Sequence, residues 1–276
     1  MERHRPGATF DIRPKPIAVP PPGHSACPAP ANCPWPRCTL GSRVPARSIR
    51  QPTESFESEP MNEFKLDPDH VIADEESLRG LFHAVAPLAV DKCIDALDAH
   101  AQAFIRRSPF VCLGTQNADG RADVSPRGDP PGFVRILDPN TLAIPDRPGN
   151  NRLDSLANIV SNPNVGLLFV IPGFDDTLRV NGEATLVTDP GLLDTMAVRD
   201  RAPGLAIVVR VREVFMHCAK AFRRSQLWNP DHFQDRDGMP SLSKIILDQT
   251  TGAPDDDAEM RRIDADLEVE YGKTLY

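Results

Sequence analysis

The chain has 276 residues and a formal net charge of −8 with a pI near 5.4, which argues against nucleic acid as its main partner. No uninterrupted apolar run approaches the roughly 20 residues a membrane helix needs, and the first residues lack the apolar core of a signal peptide. A soluble, cytoplasmic protein without a membrane partner is expected, built as one large domain or two small ones.

The charge is uneven. Residues 1–60 carry 8 Lys+Arg against 5 Asp+Glu, and residues 61–276 carry 23 against 34. The head, 1–60, is rich in Pro, Arg and Ser and shows neither helical nor alternating periodicity. It cannot bury enough apolar surface to offset its ordering entropy, so it is expected to be disordered. Pattern begins only after Met61, and a chain started there is expected to fold like the full one. His24 with Cys27, Cys33 and Cys38 has no C-x-x-C pair and is flanked by prolines, so no metal site is expected. Cys93, Cys112 and Cys218 lie in apolar surroundings and read as buried, reduced thiols.

Residues 61–108 form a helical lead-in. One helix is expected over Glu75–Val85. A stronger one runs from Val90 to Arg107, with Ile94, Leu97, Ala101, Phe104 and Ile105 on one face. His83 and His100 read as surface histidines. A β-rich stretch follows over 109–230. Phe110–Thr115 and Arg121–Ser125 form a hairpin about Asn117–Gly120, and Phe133–Leu137 with Thr141–Pro145 forms a second about Asp138-Pro139-Asn140.

Between the second and third strand pairs lies IPDRPGNNRLDSLANI, residues 144–159. Proline and glycine shape the turn. A helix is expected from about Arg152, capped by Asn150 or Asn151, with Leu153, Leu156 and Val160 on its apolar face. A basic loop leading into a helix N-terminus suits a phosphate monoester; the alternative is an ordinary turn whose arginines face solvent. Strands Val165–Ile171, Leu178–Val187 and Leu205–Cys218 follow, with a short helix after Asp189. Short strands at regular spacing around one helix suggest a closed antiparallel barrel and exclude a doubly wound parallel sheet. The tail, 231–276, is read as helices near Ser241–Gln249 and Asp256–Tyr271, packing on the barrel or on a partner subunit.

Two further clusters carry charge. Ser125-Pro126-Arg127-Gly128-Asp129 ends one strand with a cation, although Arg127 could simply pair with Asp129. His217-Cys218-Ala219-Lys220 through Trp228 follows the last strand, with Trp228 either an anchor or a ring-stacking residue.

Taken together, PRGDPPGFVRILD, IPDRPGNNRLDSLANI, NPNVGLLFVIPG, LRVNGEA and HCAKAFRRSQLW resemble the pyridoxamine 5′-phosphate oxidase-related flavoproteins, more narrowly a bacterial FMN-dependent subfamily. The resemblance spans about Pro109–Pro230. It implies a mainly β protein with flanking helices, a split β-barrel that forms a homodimer and holds FMN at the subunit interface. It implies an oxidoreductase passing hydride or electrons through flavin N5 to a small-molecule substrate. By motif, Asn151 and Arg152 would hold the flavin phosphate, Arg127 would lie near the phosphate or ribityl chain, and Asp146 and Arg147, on the loop before the pair, would also bind the cofactor. Lys220 and Trp228 belong to the segment that would close over the flavin. No residue receives a catalytic role. SPRGDPPGF replaces the strand motif of true pyridoxamine phosphate oxidases and their C-terminal signature is absent, so the vitamin B6 reaction is not carried over. The rival readings are the same barrel with a deazaflavin or haem, and a flavin-binding protein without turnover.

Overall fold

The computed structural model describes residues 64–276. The proline-rich head, its cysteines and Met61 lie outside them. The described residues divide at His70: Pro68–His70 is a 3-10 turn, and Val71–Tyr276 is one compact unit.

Seven strands form a single antiparallel sheet: β1 (Phe110–Gln116), β2 (Ala122–Gly128), β3 (Arg135–Asp138), β4 (Thr141–Pro145), β5 (Asn164–Val170), β6 (Thr177–Val187) and β7 (Ala206–His217). Their order is β2-β1-β5-β6-β7-β4-β3. One apolar core gathers side chains from both halves of this order, including Val111 and Leu113 of β1, Phe169 of β5, Val180 of β6, Val209 of β7 and Ile144 of β4. Its filling includes Phe104 and Ile105 from α3 (Ala99–Arg107) and Leu156 and Ile159 from α4 (Asp154–Ser161). This is a split β-barrel.

The expected closure of the barrel is therefore corrected. β2 and β3 are the two edges and share no ladder. The reason lies in β2: its inward positions are Asp123, Ser125 and Arg127, and Pro126 removes a backbone donor. A polar, proline-containing edge faces helix α4 instead of pairing with another strand.

The lead-in also differs from the expectation. Its helices are α1 (Glu75–Gly80), α2 (Pro87–Asp91) and α3, not two long ones. Ile94 exchanges both backbone hydrogen bonds with Val214 of β7, and the Asp98 carboxylate caps α3 by accepting from the Ala101 N–H. Those competing partners break the helix expected from Val90. His83 and His100 are exposed as foreseen. The thiols are not: Cys93 and Cys218 are exposed and Cys112 is half-buried, because two of them sit at element ends.

A β-bulge divides β7. Asn181 pairs with Glu213 and Gly182 with Val211, leaving Arg212 without an opposite residue. Gly182 is required there, since a Cβ would run into the Arg210 carbonyl oxygen and lie 2.8 Å from Val209 Cγ1. A second small core under α5 (Pro190–Asp194) joins Leu193 and Met196 to Ala143 and Ala206 on the outer face of β4 and β7. The segment after β7 holds α6 (Lys220–Ser225), α7 (Leu242–Asp248) and α8 (Asp257–Thr274). Among the described residues no helix is long and apolar enough to cross a membrane.

Candidate functional site

The polar inner side of β2 is the base of the site. Asn158 of α4, nearly buried, donates to Thr115 Oγ1 at 3.1 Å and to Asp123 Oδ2 at 2.6 Å. One turn earlier, Ser155 Oγ donates to Ser125 Oγ at 3.1 Å, and Ser125 Oγ accepts from Arg127 Nε at 3.2 Å. These bonds satisfy buried polar groups and fix α4 over the edge strand.

Two crossed ion pairs then bridge the split. Arg127 of β2 binds Asp146, one residue past β4, with Nη1–Oδ1 2.5 Å. Asp129, one residue past β2, receives Arg147 through Nε and Nη2, both at 2.7 Å. Arg147 Nη2 also donates to the Met196 carbonyl at 2.8 Å. The side chain of Asp129 is only 1% exposed, and those of Arg147 and Arg127 are 16% and 18% exposed. The pairing differs from the Arg127–Asp129 partnership weighed from sequence: each arginine reaches across the gap. Arg127 Nη2 and Arg147 Nη1 donate to nothing among the described residues. Each guanidinium is thus oriented on one side and free at one nitrogen.

The turn between β4 and α4 differs from its expected form. The helix begins at Asp154, and its N-cap is Leu153 in the left-handed region (φ 62°) with no side-chain cap. Asn151 is left-handed as well (φ 58°). Asn150 accepts the Arg152 N–H at 3.1 Å, making a local turn rather than the helix cap. A left-handed leucine costs about 1 kcal/mol. What it leaves is an N-terminus whose first N–H groups no side chain occupies. Arg152 is 72% exposed and pairs with Asp154 at 2.8 Å. The buried face is Ser155, Leu156, Asn158 and Ile159, so Leu153 and Val160, expected in the core, point outward.

Lys220 and Trp228 stand apart from this cluster. Lys220 opens α6 and is exposed. Trp228 stacks on Phe222 at 5.8 Å and donates Nε1–H to the Phe174 carbonyl at 2.8 Å, while Arg223 pairs with Asp175. Within this chain Trp228 is an anchor fastening the segment after β7 to the loop after β5. No hydrogen bond or ion pair among the described residues joins either residue to Arg127 or Arg147.

His217 lies at the end of β7, 5.0 Å from the Phe215 ring, and Phe215 in turn carries Arg179 at 4.2 Å and Lys92 at 5.1 Å. Burial lowers the His217 pKa below its ordinary 6.5, aided by the charges of Arg179 and Lys92. The folded state therefore disfavours the protonated ring that the unfolded chain accepts. Stability should fall as pH drops from that ordinary value through the lowered one. Denaturant unfolding at about pH 8 and about pH 5 should show a smaller acid loss for His217→Asn than for the parent; equal losses would remove His217 as the cause.

Residues 97–218 match the family model described as Pyridoxamine 5′-phosphate oxidase. The resemblance read from the motifs is thereby borne out over the segment from the approach to α3 to the end of β7. No curated protein matches the chain. Solved structures similar to it include HupZ of Group A Streptococcus, 17% identical, covering 43% of this chain and 92% of that one with a TM-score of 0.36. An FMN-binding protein from Syntrophomonas wolfei is 10% identical over 52% of this chain and 96% of its own (TM-score 0.33). HutZ, the haem storage protein of Vibrio cholerae, is 13% identical over 44% and 93% (TM-score 0.33). The matched segment contains Arg127, Asp146, Arg147, Asn151 and Arg152; Lys220 and Trp228 fall beyond it.

From sequence Asp129 entered only as a possible partner of Arg127, not as a site residue, and the Ser125–Ser155 contact was not foreseen. The one available signal for Asp129 was its place between a strand and the Pro130-Pro131 break, where a carboxylate has few local donors.

Proposed function

We propose that the chain binds FMN through the phosphate at the start of α4 and acts as a flavin-dependent oxidoreductase. The observation that carries this reading is an uncapped helix N-terminus whose first turn touches Ser125, the partner of Arg127, with Arg147 on the loop that leads into it. Each of the two arginines is held by one carboxylate and free at one nitrogen among the described residues. The three arginines and their partners Asp146, Asp129 and Asp154 cancel in formal charge. A phosphate is then attracted by the helix terminus and the free N–H groups rather than by net charge, and Arg152 can turn to it without a burial cost. When bound, FMN supplies a ring that exchanges hydride at N5. The chain's own part is to grip the phosphate and orient the ring against a small-molecule substrate.

The proposal extends to a homodimer with the cofactor at the shared surface. The outer sheet face supports it: Gly114 and Gly166 lie opposite each other, flanked by half-buried Cys112 and Leu168, a flat and partly apolar patch that one symmetric copy can cover.

The test is direct. The purified protein should show a flavin absorbance spectrum, bind FMN more tightly than riboflavin, and run at twice 30.3 kDa by light scattering. A haem or deazaflavin spectrum would replace the cofactor, and a monomer holding stoichiometric FMN would remove the shared site. Stopped-flow reduction of the bound flavin by NADH or NADPH tests the oxidoreductase half; no reduction by either donor counts against turnover with nicotinamides.

A further inference from the structure

Tyr276, two residues beyond α8, returns to the split and makes contacts from every side. Its hydroxyl donates to Asp129 Oδ1 at 2.8 Å, opposite the oxygen that receives Arg147. Its ring is met by two guanidiniums, Arg147 at 5.6 Å and Arg199 at 5.2 Å from the centroid. Its main-chain oxygen accepts from Arg201 Nη1 at 2.5 Å. Arg199 and Arg201 are presented by a tight turn in which Val198 and Arg201 exchange both backbone bonds. The two central residues, Arg199 (φ 50°) and Asp200 (φ 60°), are both left-handed, a conformation such turns usually give to glycine or asparagine. A strained turn thus serves to place two cations on one tyrosine.

We propose that Tyr276 is a positioning residue for the anion site: by holding Asp129 it fixes the direction in which Arg147 offers its free nitrogen to the flavin phosphate. The inference rests on the FMN reading above. The physical basis is that Asp129 is almost fully buried and has two oxygens to satisfy. With Oδ1 taken by the tyrosine, Oδ2 alone is left for Arg147, so Nε and Nη2 converge on it and Nη1 is turned away from the pair. Without the hydroxyl, Arg147 can straddle both carboxylate oxygens in the ordinary forked geometry, which rotates its free nitrogen.

Two measurements separate this proposal from the reading it rests on. The chain has only two tyrosines, Tyr271 and Tyr276, so Tyr271→Phe leaves one phenol as reporter. The Asp129 hydrogen bond, with burial and the Asp129 charge, raises the Tyr276 pKa above its ordinary 10.0 against the opposing pull of Arg147 and Arg199. Ultraviolet titration of Tyr271→Phe should show that raised value, and adding Asp129→Asn should bring it down. A phenol that ignores Asp129→Asn overturns the contact whatever the cofactor is. In the second measurement, Tyr276→Phe should weaken FMN binding about fivefold and leave riboflavin unchanged, since the Arg147 contact to the phosphate is misdirected rather than removed, a smaller loss than that of a whole charge-assisted bond. In an Asp129→Asn background the same substitution should have no further effect. Additive losses, or equal losses for FMN and riboflavin, overturn the positioning role. If the parent itself fails to prefer FMN over riboflavin while the phenol titrates as expected, the flavin-phosphate reading fails and the positioning role goes with it, but the contact stands.

Discussion

Replacing Arg147 with Ala is expected to destabilise the fold by about 3 kcal/mol, because it strands a buried carboxylate. Asp129 is 1% exposed and would keep only the Tyr276 hydroxyl. The loss should depend on pH in a defined direction. A buried carboxyl without its cation has a folded pKa above its unfolded one, so the penalty is complete at neutral pH and fades as acid protonates it in the folded state. The double variant Arg147→Ala with Asp129→Ala leaves no unpaired charge and should be less unstable at pH 7 than the single one. Denaturant midpoints for the three proteins at neutral and mildly acid pH make the comparison. A pH-independent loss, shared equally by single and double variants, would mean that packing around the Arg147 stem, not charge, is what matters there.

The second large effect concerns binding. Arg127→Ala should lower FMN affinity by about one to two orders of magnitude, the value of a charge-assisted contact, and leave riboflavin nearly untouched. Arg152→Ala should act in the same sense but less strongly, since its side chain is largely in solvent and already pairs with Asp154. Asp146→Asn should do the reverse: it keeps the shape of the Arg127 partner but removes the competing charge, so FMN should bind several-fold more tightly. Fluorescence-quenching titrations with both flavins measure all three. Weaker FMN binding in Asp146→Asn would show that the carboxylate serves by aiming Arg127 and that its charge competes little.

Much of this architecture is legible in the sequence, and the misses share a cause. Six of the seven strands lie within two residues of their expected bounds at both ends, since alternation and turn residues such as Asn117–Gly120 are local signals. Only β2 runs on through Pro126 to Gly128. Helix α4 was placed correctly but rotated: counting apolar residues from Leu153 put Val160 inside, whereas the buried face includes Ser155 and Asn158. Their partners, Ser125 and Asp123, belong to an edge strand some 30 residues away, and no helical pattern announces that a polar side chain is wanted inside. The long helix from Val90 failed for the same reason, because Ile94 is claimed by Val214. At the site the arginines were visible as cations, but their crossed partners were not. Tyr276 meets Asp129 from 147 positions away, and nothing nearby in the chain hints at it.

The bulge at Arg212 sets the phase of everything that follows it. Before it, β7 presents odd-numbered residues to the core: Ile207, Val209 and Val211. After it, the core residue is even-numbered, Val214. That one-residue slip is what turns Phe215 and His217 to the outside. Were Arg212 drawn into a regular, unbulged ladder, alternation would send Glu213, the aromatic ring of Phe215 and the imidazole of His217 into the hydrocarbon interior, with Val214 facing water. A chain lacking Arg212 altogether would lose the bulge and keep Val214 inside. The strand is thus two half-strands of opposite parity, and Gly182, the partner that makes room for the joint, is the residue on which that parity depends.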